Sequence, residues 1–88
     1  METRTVTIVN ALGLHARAAA RFVHHASQFK SHIKLTRGSR TVDGKSILGL
    51  LLLAAPRGAT LEISADGHDA AQALEALSAL VARGFDDP

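Results

Sequence analysis

Apolar residues in this chain recur at two different spacings, in seven consecutive segments with little chain between them. In "TRTVTIVN", Val6 and Ile8 fall on one side and Thr5, Thr7 and Val9 on the other, the period of two that a half-buried strand requires. From about Ala16 to Gln28 the period changes: Ala16, Ala19, Ala20, Val23 and Ala26 recur at three and four, and Phe22 and Phe29 widen the stripe of what reads as a helix. "HIKLTR" alternates again through Ile33 and Leu35, "RGS" supplies a glycine turn and "RTVD" returns, so residues 33–43 read as a hairpin that Gly44 ends. Ser46 then stands directly before "ILGLLLL", where its hydroxyl can accept from a free amide of a short helix, and Pro56 with the following Arg-Gly closes that segment. "TLEISAD" alternates through Leu61, Ile63 and Ala65. Asp69 with Gln72 reads as a capping box opening a last helix, whose stripe is Ala70, Ala73, Leu74, Leu77, Leu80 and Val81 and whose C-terminal cap is Gly84.

This order, βαββαβα, limits the architecture. Strands with one apolar face need one covering layer, and three helices with single stripes provide it, so an α/β (α+β) two-layer open-faced sandwich is expected, with the helices on one face and water on the other. Eighty-eight residues make one domain, residues 1–88, with a single core and its chemistry on the surface.

Composition removes several functions. The absence of cysteine excludes disulfides, thiol nucleophiles and thiolate metal sites. Three phenylalanines are the only aromatic residues that could stack on bases, which argues against a nucleic-acid partner. Up to Lys45 eight Lys and Arg stand against Glu2 and Asp43, whereas from Ser46 onward Arg57 and Arg83 face six acids, a split that suits a local anionic ligand near the first half better than a general basic coat. His24, His25, His32 and His68 show no converging ligand pattern, so no metal and no other cofactor is expected. "METRTVTIVN" lacks the apolar stretch of a signal peptide, and "ILGLLLLAA" falls short of the roughly 20 residues of a membrane helix. A soluble cytoplasmic protein without membrane insertion is the expectation, and a monomer is its simplest form.

One histidine stands apart. In "GLHARAA", His15 lies at the N-terminal edge of the first helix, where unpaired amides and the positive end of the helix dipole favour an anion over a further cation. A neutral ring there is available as a nucleophile, the backbone of Ala16 and Arg17 can hold phosphoryl oxygens, and the Arg17 guanidinium offers them a fork. On spacing alone the usual role of such a histidine is a solvated side chain or a cap.

The residues themselves carry more. "GLHARAA" resembles the active-site signature of the histidine-containing phosphocarrier (HPr) family of the bacterial phosphoenolpyruvate phosphotransferase system, and "GKSILGL" is similar to that family's second motif, around its regulatory serine, at the matching distance. The similarity runs from the first strand through "PRGATLEISADG" to the last helix. It implies an antiparallel four-stranded sheet of order 1-4-2-3. It also implies a carrier, not a stand-alone enzyme: His15 would accept a phosphoryl group on Nδ1 from phosphorylated enzyme I, beside Arg17, and pass it to a downstream EIIA-type domain. Ser46 would match the serine phosphorylated by an HPr kinase/phosphorylase. Ala16, Ala20, Ile47, Leu48 and Leu51 match positions where the family presents an apolar patch to partners, although an all-apolar "ILGLLLL" must also bury about half of its side chains. Ala18 stands where most members have proline, and Leu12 where many sugar-branch members have a polar residue, while "NALGLHAR" and "GFDDP" look closer to the nitrogen-related branch or to the single carriers of bacteria with partial systems. The competing reading is a non-catalytic interaction module controlled through Ser46.

Overall fold

In the computed structural model, which describes residues 1–87, the chain runs β1 (Glu2–Thr7), α1 (Ala16–Ala26), β2 (His32–Arg37), β3 (Arg40–Asp43), α2 (Ile47–Leu52), β4 (Thr60–Asp66) and α3 (Ala70–Ala82), then a 3-10 turn, Gly84–Asp86. The strands form one antiparallel sheet of order β1-β4-β2-β3. Its register places Val6 opposite Leu61 and Leu35 opposite Ile63, so the alternating apolar residues of neighbouring strands meet on the same side. On that side Ile33, Leu35, Leu61, Ile63 and Ala65 are buried, whereas Lys34, Glu62 and Asp66 face away and are exposed. The helices cover the apolar side. Helix α3 packs on β1 and β4, α1 packs against α3 and α2, and α2 reaches β3.

Three details differ from the sequence expectation. Helix α1 ends at Ala26, short of Gln28, and its buried side chains are Ala18, Ala19, Phe22 and Ala26, so the apolar stripe is rotated and Ala16 and Ala20 face outward. Phe22 is the cause: burying that ring removes far more apolar surface than burying two methyl groups, and it sets the rotation of the helix. Asp69 occupies the N-cap position of α3 but makes no capping bond. Its carboxylate instead accepts from the amides of Lys30 (2.8 Å) and Ser31 (3.0 Å) and from the Ser31 hydroxyl, tying the α1–β2 connection to the start of α3. Those bonds, the Ser31 hydroxyl first, lower its pKa to about 2.

The third difference is at the end of α3. Gly84 does adopt the left-handed conformation of a C-terminal cap (φ 68°), but Phe85 (φ 59°) and Asp86 (φ 57°) continue it. Left-handed backbone costs a non-glycine residue about 1–2 kcal/mol. Burial of the Phe85 ring, 1% exposed, offsets that, at about 1.5–3 kcal/mol. An Arg21 Nη1 donation to the Phe85 carbonyl (2.8 Å) then holds the turn against α1.

Candidate functional site

The loop before α1 is fixed from both sides. The Gly13 amide donates to the Asn10 carbonyl (3.2 Å), the Asn10 side chain donates back to the Gly13 carbonyl (2.8 Å), and the amide of buried Leu14 donates to Ala55 (2.9 Å). Gly13 makes this path possible with φ +67°, the region that favours glycine. The next residue, His15, is the N-cap of α1, with extended backbone (φ −83°, ψ −178°) and a side chain that does not cap the helix. The first backbone bond of the helix runs from the Ala19 amide to the His15 carbonyl (2.8 Å). The amides of Ala16 and Arg17 precede it and have no carbonyl behind them to bond, which is the donor-rich end expected from the sequence.

The His15 ring is neither free nor buried; its side chain is 24% exposed. Its Nε2 lies 2.9 Å from Oδ2 of Asp87, while Oδ1 of the same carboxylate accepts from Nε of Arg17 (3.0 Å) and from its Nη2. The Asp87 side chain is 1% exposed and the Arg17 side chain 55%. One carboxylate therefore bridges the two residues that the sequence singled out. The His15 bond first, then the Arg17 bond, hold the Asp87 carboxyl below its ordinary value, so it is ionised at neutral pH and can only accept. The proton of the His15–Asp87 bond accordingly belongs to Nε2, and Nδ1 bonds no other group among the described residues. An unengaged ring nitrogen thus stands on the N-cap residue of α1, and Arg17 is held on the carboxylate that holds the ring.

Asp87 is absent from the sequence reading. The available signal was coarse, since acids accumulate in the second half of a chain whose first half is basic. Nothing in "GFDDP" says which acid meets His15.

Ser46 takes the expected cap of α2: its hydroxyl accepts from the Gly49 amide (3.1 Å) and its carbonyl from the Leu50 amide (3.0 Å). Ile47 (41% exposed) and Leu48 (75%) stand on the surface, and Ala16 and Ala20 are exposed one turn apart on α1, which packs against α2. Leu51, expected in the same patch, is half-buried and packs against the core with Leu50 and Leu53. Its neighbour Leu52, 62% exposed, follows Leu48 at helical spacing and adds to the exposed apolar residues of α2, a relation the all-apolar run concealed. Leu12, in the loop before His15, is also exposed. His25 is held within its own helix by a ring bond to the Arg21 carbonyl (2.8 Å).

Fold and site together define a small open-faced α/β domain that presents one carboxylate-bonded imidazole at a helix N-terminus, with exposed apolar residues on α1 and α2. Residues 2–83 match the family model described as the PTS HPr component phosphorylation site, leaving the turn that carries Phe85 to Asp87 outside the match. The chain is 47% identical over 81 residues to phosphocarrier protein HPr of Neisseria meningitidis serogroup A, covering 92% of this chain and 91% of the relative. It is 44% identical over 84 residues to phosphocarrier protein NPr of Shewanella violacea, covering 96% and 92%. Among solved structures, an HPr crystal structure from Thermoanaerobacter tengcongensis superposes with a TM-score of 0.95 at 39% identity, covering 100% of this chain and 99% of the other. The chain belongs to the HPr family of the phosphotransferase system.

Proposed function

We propose that this protein carries a phosphoryl group on Nδ1 of His15, accepting it from phosphorylated enzyme I and delivering it to an EIIA-type acceptor domain in the cytoplasm. The observation that carries the reading is the ring itself: His15 sits at the N-terminus of α1 with Nε2 engaged and Nδ1 free, next to the Arg17 guanidinium. Transfer needs little more from this chain. The incoming phosphorus meets a ready lone pair, and the amides of Ala16 and Arg17 with the Arg17 side chain stabilise the phosphoryl oxygens. The site is open, so the partner's surface completes it and excludes water. Ala16, Ala20, Ile47, Leu48 and Leu52 supply the apolar area for that transient docking, with one copy of the chain sufficient.

Ser46 is the regulatory site of this reading. A phosphate placed there by an HPr kinase/phosphorylase would be a dianion among residues that partners must desolvate, and it would slow phosphorylation of His15. "NALGLHAR" and "GFDDP" favour a nitrogen-related acceptor over a sugar-specific one, and offering both acceptor types to the phosphorylated protein decides between them. The carrier test is incubation with enzyme I and phosphoenolpyruvate. It should yield an acid-labile, base-stable phosphate that is lost in His15→Ala; no such adduct on the wild-type chain overturns the reading.

A further inference from the structure

The bridging carboxylate of Asp87 lies outside the residues matched by the family model, and the transfer proposed above gives it no role beyond engaging Nε2. Its position is built, not incidental. Gly84, Phe85 and Asp86 form a left-handed turn pinned by the buried Phe85 ring and the Arg21 Nη1 bond, and this turn aims a side chain that is 1% exposed at an imidazole and a guanidinium. Asp86, one residue earlier, points elsewhere and pairs with Arg83 (2.9 Å).

We propose that Asp87 is a positioning residue for phosphoryl transfer: it holds the His15 ring as the tautomer with Nε2 protonated and Nδ1 bare, and stabilises the positive charge the ring gains on phosphorylation. The proposal rests on the carrier reading. In the forward step the P–Nδ1 bond forms as the bond from phosphorus to the donor breaks, and the donor atom keeps that electron pair. No proton leaves His15. The ring, neutral before, becomes cationic with its Nε2 proton in place, so the Nε2–H···Oδ2 bond turns from neutral–anion into cation–anion and strengthens as the new bond forms. An interaction stronger after the step than before it accelerates that step.

The same carboxylate also occupies Arg17, and an opposite effect has to be weighed: its removal frees the guanidinium for the phosphoryl group. Arg17 is half-exposed, so an arriving phosphoryl dianion can reach the guanidinium and take it by exchange. The phosphoryl group enters at Nδ1 and offers no acceptor to Nε2, so the ring bond has no such substitute. The net effect of losing Asp87 is therefore slower transfer.

Two measurements on Asp87→Ala, Asp87→Asn and Asp87→Glu, with Asp86→Asn as the charge control, test this. The first is the ring tautomer of His15 in the unphosphorylated protein, read from its imidazole 15N shifts above the titration range; it requires no partner. The wild type and Asp86→Asn should show Nε2 protonated, and Asp87→Ala a mixture. The second is the rate of phosphorylation by phosphorylated enzyme I, expected to fall about tenfold in Asp87→Ala and Asp87→Asn and to recover in part in Asp87→Glu. An Nδ1-protonated wild-type ring, or rates in Asp87→Ala equal to or above wild type, overturns the proposal and leaves the carrier reading intact. A wild-type chain that forms no phosphohistidine overturns both.

Discussion

Replacing Gly13 by alanine isolates the contact that presents His15. Two effects act at once. Gly13 sits at φ +67°, a conformation costing an alanine about 1–2 kcal/mol. In addition, a Cβ there would point into backbone, meeting the Ala55 carbonyl and lying 2.9 Å from Cα of Pro56. That carbonyl is the acceptor of the Leu14 amide, so relieving the overlap moves the loop off residues 55–56 and breaks a bond worth about 1 kcal/mol, and the overlap itself adds about 1–3 kcal/mol. The expected loss is about 3–6 kcal/mol, a large part of the roughly 5–15 kcal/mol of a domain this size. Gly38 provides the control: its φ is +61°, yet a Cβ there meets nothing within 4 Å, so Gly38→Ala carries the backbone cost alone. In urea, where small domains lose about 1–3 kcal/mol per molar, the Gly13→Ala midpoint should fall by about 2 M and that of Gly38→Ala by about 1 M or less. Equal shifts for the two variants would refute the claim that close approach to Ala55 and Pro56, and not torsion alone, fixes the loop.

Other outcomes follow from single contacts. Ser46→Ala leaves the Gly49 amide without its acceptor and should lower stability by about 1 kcal/mol in urea titration. Ser46→Asp should be phosphorylated on His15 more slowly than Ser46→Ala, and equal rates for Ser46→Asp and wild type count against regulation through this residue. Leu48→Asp, at a position 75% exposed, should leave the urea midpoint unchanged while raising the KM for enzyme I; an unchanged KM removes Leu48 from the docking surface. Asp69 has a lowered folded-state pKa, so its bonds to Lys30 and Ser31 stabilise the fold fully above the unfolded value of 3.8 and lose that effect as pH falls through about 2. The difference in urea midpoint between wild type and Asp69→Asn should therefore be constant from neutral pH down to about pH 5 and shrink below about pH 4; a difference that stays constant to pH 2 refutes the assignment.

The sequence by itself determined the element order, the hydroxyl cap at Ser46 and the placement of His15 at a helix start. Each of these is written within a few neighbouring residues, as a period of two, a period near 3.6, or a polar side chain one turn from an amide. Only the tertiary structure decided which face of α1 is inside, where one Phe22 ring outweighed Ala16 and Ala20, and whether Leu51 or Leu52 reaches the surface, since a run apolar all round carries no phase. It alone turned Asp69 away from its own helix toward Ser31, and it alone brought Asp87 to His15 across 72 positions of chain. Such pairings depend on how the packed core folds the chain back on itself, and a single acid at the end of a turn leaves no periodic trace of where it will land.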